Sequence, residues 1–239
     1  MNIDKPTAGD LPALQNLWRQ AFGDTEDFIA CFFSQGFSPD RCRRIKKDGV
    51  LAALYWFDCA WQGKKLAYIY GVATREDARG QGLCAALMKD THEHLKNLGY
   101  TGAILVPAKD SLRNYYRRLG YVDFGGVETR QSSAAGLIAK SRPIDRQKYA
   151  CLRRQYLPEG GVAQEGTLLD FFAAFAKFYA GSDFVLAITE NQAELLGNPT
   201  VIPEGSDLSL RMPGSTPFAM YSPFGEEKNM PTYFGFALD

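Results

Sequence analysis

Histidine is nearly absent: the chain of 239 residues holds only His92 and His94. A Ser-His-Asp hydrolase needs a histidine beside its nucleophile. Residues two apart on a helix point to nearly opposite sides, so this pair does not chelate a metal, and both are expected as solvated surface residues. The five cysteines, Cys31, Cys42, Cys59, Cys84 and Cys151, contain no CxxC pair. Neither a disulfide framework nor a metal site is expected, and a reducing cytoplasm fits. No apolar run reaches the roughly 18 residues of a membrane span, and MNIDKPTAGD lacks the apolar core of a signal peptide. Excess charge is missing too. Lys plus Arg and Asp plus Glu number 27 each, without the basic surplus of nucleic-acid binders. Neither a nucleic acid nor a membrane is expected as a partner.

What remains is ordinary globular material, 46% hydrophobic and 23% charged, enough for one large domain or two small ones. Asp10 to Phe22 has helical apolar spacing and Gly23 to close it. The next segment, DTEDFIACFFSQGF, reads as a second helix. Three strands follow between residues 41 and 74, with turns at Asp48-Gly49 and Gln62-Gly63. The third, apolar on both faces, should lie centrally. Gly82 to Leu98 reads as a helix, YTGAILVP as a strand, DSLRNYYRRLG as a short helix, and YVDF as the start of another strand. Residues 131–165 read as linker and connecting segments. Beyond them, TLLDFFAAFAKFYAG reads as a strong helix, DFVLAIT as a strand, ENQAELL as a short helix and DLSLRM as a strand. That order repeats residues 82–124, as a degenerate half-repeat would. The pattern as a whole gives an α/β fold, a mixed sheet with helices on its faces.

The sharpest local feature is VATREDARGQGLCAALMKD, Val72 to Asp90. Arg79, Gly80, Gln81 and Gly82 stand directly before the helix, although glycine loses the most backbone freedom on folding. A helix start leaves amides unpaired and carries a partial positive charge. Glycines let an anion reach those amides, and Arg79 can add a charge-assisted contact. The composition therefore suits a phosphate cradle. It is not a P-loop, because no Lys-Ser or Lys-Thr follows, and it lacks the third glycine of a dinucleotide fingerprint.

YIYGVAT, RGQGL, the helix, AILVP and NYYRRLGY together resemble the GNAT superfamily of acyl-CoA-dependent N-acyltransferases over roughly Ile3 to Phe124. The family's R/Q-x-x-G-x-G/A motif reads Arg79-Gly80-Gln81-Gly82-Leu83-Cys84, with Cys84 in place of glycine or alanine. The resemblance implies the GNAT fold, a mixed and mostly antiparallel sheet flanked by helices, and acetyl-CoA as co-substrate. It implies that Val72, Ala73 and Thr74 hold the pantetheine arm like an added strand. Amides from Gly80 through Gln81, Gly82 and Leu83 to Cys84 would hold the pyrophosphate, and Ser111 would touch pantetheine. Tyr116 would serve the departing sulfur, with Tyr115 the better candidate for a buried aromatic, and Cys84 would be structural.

The tail is similar to the degenerate second unit of Eis-type acetyltransferases, though the chain ends before that family's further C-terminal domain. This divides the chain into residues 1–130, a GNAT domain; 131–165, a linker; and 166–239, a smaller GNAT-like α/β unit. In Eis-type proteins the terminal carboxylate acts as base, a role that would fall to Asp239. The expected activity is acetyl transfer to a primary amine of a small molecule or peptide. A non-catalytic acyl-CoA-binding or sensing module is the alternative, and a protein that keeps only the fold is a third. Trp56, Tyr68 and Tyr70 are candidates for the acceptor side or for the core. The acidic group Asp24, Glu26 and Asp27 suits either a cation or a solvated helix start. Oligomeric state, a homodimer included, is left open.

Overall fold

The structure is a computed structural model that describes residues 2–226 and 229–235. Its first half alternates as the sequence suggests. Strand β1 (Asn2–Asp4) leads to α1 (Leu11–Phe22), which ends at Gly23 in the left-handed region. Helix α2 (Glu26–Cys31) is capped by the Thr25 hydroxyl, which accepts from the Phe28 amide. Strands β2 (Cys42–Lys47), β3 (Gly49–Trp61) and β4 (Lys64–Thr74) form the antiparallel meander. Helix α3 (Leu83–Asn97), β5 (Gly102–Leu105), α4 (Arg113–Arg118) and β6 (Val122–Ser132) follow.

The second half departs from expectation. The supposed connecting segments hold α5 (Ala134–Ile138), β7 (Arg142–Ile144), α6 (Arg146–Tyr156) and β8 (Ala163–Gln164). Ser133 and Asp145 start α5 and α6 by accepting amides three residues on, an ordinary N-cap signal. The strong helix shrinks to α7 (Thr167–Phe172), and Lys177–Ala180 is strand β9. There the burial alternates, with Phe178 and Ala180 inside and Lys177 exposed, the period of a strand rather than a helix. After β10 (Phe184–Ile188), the expected short helix is strand β11 (Gln192–Gly197), paired on both sides. Its AELL core favours helix locally, but neighbours on both flanks override propensity. The expected half-repeat order is therefore not the order observed. Strands β12 (Leu208–Pro213) and β13 (Thr216–Pro223) complete the described elements.

All strands join one sheet in the order β1-β2-β3-β4-β5-β13-β6-β12-β11-β10-β9-β7, with β8 paired to β3. Among the described strand pairs only β4·β5 and β11·β12 are parallel. Helices α3 and α4 cover one face over a core of Trp56, Leu87, Met88 and Tyr121; α1, α2 and α7 cover the other over Trp18, Phe32, Tyr68 and Phe171.

Strand β13 returns from the end of the chain and pairs with β5 on one side and β6 on the other. A fragment ending at residue 130 leaves β5 and β6 without that partner, exposing backbone groups that must be paired. Such a fragment is expected to be insoluble or to lack cooperative unfolding, and co-expression with residues 131–239 should recover it. A soluble 1–130 fragment with a cooperative urea transition would show that β13 is dispensable.

Candidate functional site

The sheet opens at its middle. Strands β4 and β5 pair only from Leu66↔Gly102 to Tyr68↔Ile104. From Ile69 to Thr74, β4 has no strand on its β5 side among the described residues. The register with β3 slips at the same place, so Gly71 and Val72 together oppose Leu54. Such a bulge bends a strand and re-aims its groups. It leaves Ile69 and Val72 packed on the α3 face, while Tyr70 and Ala73 pack on the other. Gly71 is at φ +58°, and a Cβ there would come within 2.6 Å of the Trp18 ring, so only glycine fits. A glycine inside a strand pattern is the signal that could have revealed the bulge.

Strand β4 leads through a single helical turn at Glu76–Ala78 into the glycine loop. Gly80 and Gly82 are at φ +74° and +75°, with open space where side chains would project. Gly82 is the N-cap of α3, and no side chain caps the helix there. Arg79 is exposed, and its Nε donates to the Thr74 carbonyl at 3.2 Å, tying loop to strand while leaving the rest of the guanidinium outward. Gln81 is exposed, Leu83 is buried and Cys84 half-buried. Cys84 and Tyr115 pack against the same apolar cluster, which sets the loop beside α4. Burial pushes the Cys84 thiol above its usual value, against the smaller lowering from Tyr115. The thiol is therefore protonated and is not an activated nucleophile.

Helix α4 places Tyr116 in the same apolar cluster as Val72 and Cys84. Contrary to expectation, Tyr116 is the more buried of the pair, 8% exposed, and Tyr115 is half-buried. Burial raises the Tyr116 hydroxyl well above its usual range, with a smaller push from Cys84. It stays a proton donor at any physiological pH. Ser111 lies exposed on the turn that enters α4. Val72, Thr74, the loop and α4 are thus brought to one end of β4. Asp239 lies outside the described residues. Sequence reasoning missed Arg113, which pairs with Asp123 at 2.6 Å and donates to the Pro217 and Phe218 carbonyls at 3.2 and 3.1 Å. It pins α4 to β13, and no local pattern announces so distant a contact.

A groove of about 590 Å³ lies between α3 and the end of α4, lined by Lys89, His92, Lys96, Arg118 and Phe224 among others. His92 is not a solvated surface residue. Its Nε2 shares a 2.7 Å hydrogen bond with the Tyr121 hydroxyl, and its ring packs on Phe224. Trp56 is core on this face, whereas Tyr68 and Tyr70 face the opposite side.

Residues 2–122 match the family model of the acetyltransferase (GNAT) domain. No curated protein matches the chain by sequence. Among solved structures, the fold is similar to a protein from Pyrococcus horikoshii, with a TM-score of 0.69 at 12% identity over 99% of this chain and 94% of that one. It is also similar to Eis1 from Mycobacterium abscessus, with a TM-score of 0.66 at 10% identity over 94% and 74%. A GCN5-related N-acetyltransferase from Kribbella flavida gives 0.63 at 17% identity over 93% and 72%. No helix of the described residues is long and apolar enough to cross a membrane.

Burial lowers His92 from 6.5 to about 4. Between those values the unfolded chain binds more protons than the folded one, so stability falls as pH drops through that window. At pH 5 this group alone should cost about 2 kcal/mol relative to pH 7. Urea unfolding of His92→Gln should show a correspondingly smaller loss between pH 7 and pH 5. Equal losses in both proteins would remove His92 as the cause.

Proposed function

The chain belongs to the GNAT acetyltransferase family, and we propose on that premise that it transfers an acetyl group from acetyl-CoA to a primary amine of a small molecule or peptide. The observation that carries this reading is the uncapped, glycine-lined start of α3, tied by Arg79 to a strand end beside a gap in the sheet. An anion fits there without displacing any side chain. In this reading amides from Gly80 to Cys84 hold the pyrophosphate, with Arg79 alongside. Backbone groups of Val72, Ala73 and Thr74 take the pantetheine arm, and Ser111 touches it from α4. Residues 1–130 carry the chemistry, and residues 166–239 shape the acceptor side.

Acetyl-CoA supplies the acyl group as a thioester. The Val72 N–H, re-aimed by the bulge, donates to the carbonyl oxygen as charge develops on it. Tyr116, held protonated by its burial, donates a hydrogen bond to the departing sulfur. A thiolate, whose thiol has a pKa near 8.5, is a weaker base than tyrosinate, whose phenol lies near 10 even in water, so stabilisation by the hydrogen bond outweighs full proton transfer. Cys84 packs and forms no covalent intermediate. The Asp239 carboxylate is the proposed base for the acceptor. The free cysteines suit a reducing cytoplasm.

Calorimetry with acetyl-CoA and thiol release over an amine panel test the reading together. Tight binding without release by any amine would favour the sensing alternative. Tyr116→Phe should lower turnover about ten- to hundredfold, the worth of a hydrogen bond to a charged group, with acetyl-CoA affinity unchanged. Undiminished turnover when chemistry is rate-limiting removes Tyr116 from the mechanism. Asp239→Asn should likewise slow transfer. Full activity in that variant would dismiss Asp239 as the base.

A further inference from the structure

The groove between α3 and α4 holds none of the residues assigned above to acetyl-CoA or to the transfer step. It starts at Ala85 in the first turn of α3 and reaches Lys96 in the last. Along the helix Lys96 is roughly 20 Å from Leu83, at 1.5 Å per residue. The last turn of α4 and the end of β13 supply the other walls. In that strand end, Ser222 pairs with Ala103 and Pro223 with Gly102. Those β5 residues lie where β4 and β5 are still joined, before the gap opens past Tyr68. The far end of the groove therefore stands at the closed end of the strands, away from the glycine loop.

Its polar groups are unsatisfied. Ser222 is 6% exposed, yet its hydroxyl makes no hydrogen bond among the described residues. A buried hydroxyl ordinarily has a partner. The Ser222 oxygen is not fully enclosed, so it keeps access to the groove that the residue lines. His92 is engaged through Nε2 alone, and its Nδ1 has no partner among the described residues. Burial holds the ring neutral, so Nδ1 offers a hydrogen bond without a charge. Among the described residues Lys89 and Lys96 have no ion pair, and Arg118 meets only the Tyr115 ring, 5.9 Å away. Glu93 is the single carboxylate of the lining, which leaves a surplus of two positive charges. The half-buried Phe224, with its ring 5.1 Å from that of His92, adds an apolar wall.

We propose that this groove is a second ligand site, separate from that of the acyl donor, for a phosphate monoester carried on a flat aromatic body, the chemistry of a nucleoside monophosphate. Such an ester carries a charge of about −1.5 to −2 at pH 7, the complement of the surplus. A carboxylate would offset only half of it, and a polyamine would be repelled. The Arg118 fork suits two phosphate oxygens, the lysines act as point charges, and the Ser222 hydroxyl donates. The aromatic body lies on Phe224, with its polar edge toward His92 Nδ1. A volume of about 590 Å³ suits a ligand of that size. Because its walls belong to both helices, the ligand ties α3, which bears the cradle, to α4, which bears Tyr116.

Calorimetry on the CoA-saturated protein, in which the cradle is closed to added phosphate, tests the site with phenyl phosphate, AMP, inorganic phosphate and adenosine. One or both esters should bind once per chain, about tenfold or more tightly than inorganic phosphate or adenosine. Lys89→Gln combined with Lys96→Gln should weaken the ester about tenfold or more, the worth of a hydrogen bond to a charged group, and Ser222→Ala about two- to tenfold. Lys47→Gln, which removes an exposed cation of β2, should leave its affinity unchanged. An equal loss in Lys47→Gln would reduce the effect to general attraction and overturn the proposal. So would inorganic phosphate binding as tightly as the esters, or ester binding that ignores the groove variants. Ester binding that is lost when CoA is present would assign the groove to the nucleotide end of the donor, and that too would overturn it. Absence of ester binding with and without CoA has the same consequence. The readout is binding, so the site and the acyltransferase reading fail separately. An ester held through Lys89 and Lys96 by a protein that acetylates no amine would uphold the groove and count only against acyl transfer.

Discussion

Strands β4 and β5 share three residue pairs and then part, and a sheet can hold such a gap only if each parted strand is secured from its outer side. Strand β4 is held along its length by β3, with the bulge at Gly71 absorbing the change of direction. Strand β5 has only four residues and needs a partner as badly. It finds one in β13, whose Met220 to Pro223 pair with Leu105 to Gly102. Arg113 then fastens α4 to the same returning strand. The gap, the helix that carries Tyr116 and the far end of the chain are thus one mechanical unit. Loss of the returning strand would be felt at the reactive end of β4 although it lies well over a hundred residues away in sequence.

Anchoring the tail demands its own device. Arg153 and Glu194, 3% and 1% exposed, form a two-pronged ion pair at 2.8 Å on both bonds. Burying charges is costly, and removing one partner of such a pair typically costs about 3–5 kcal/mol. Here the remaining capacity is met: Tyr149 and Tyr233 donate to the Glu194 oxygens at 2.9 and 3.0 Å, and Arg153 also donates to Gln164 at 2.8 Å. A satisfied network of this kind fixes a unique arrangement even where it adds little net stability. Its consequence is positional. With Tyr233 locked, Phe234 packs 4.9 Å from Tyr68, on the ring-lined face beside the gap.

The sequence was most legible where local chemistry and global fold agree. The hairpin turns, the helices α1 and α3 and the glycine loop were all readable, because each is decided by residues close in the chain. It was least legible in the tail. Gln192 to Gly197 carries helix-forming residues in a strand because β10 and β12 flank it, and Glu194 is buried only because Arg153 meets it from α6. Neither fact has a local signature. His92 misled for the same reason. Its spacing from His94 says nothing of Tyr121, which reaches it from the start of β6. In the candidate site the loop glycines were legible as positions where a side chain would bar an anion from the helix amides, while the depth of Tyr116 and the Arg113 clamp depend on packing between α3, α4 and β13.

Across the gap, the polar side chains of the α3 face share a property. Burial keeps Cys84 protonated, keeps Tyr115 and Tyr116 as donors, and keeps His92 neutral at physiological pH. Among the described residues, positive character at the cradle therefore comes from the backbone dipoles of α3 and from Arg79. Fixed dipoles need no proton to be present and reorganise little as charge moves, which is the condition under which they stabilise a developing negative charge most effectively. The glycines at Gly80 and Gly82 serve this arrangement directly. They give up local stability so that the dipoles can be approached, while the surrounding apolar packing of Leu83, Leu87 and Tyr116 holds those dipoles in place.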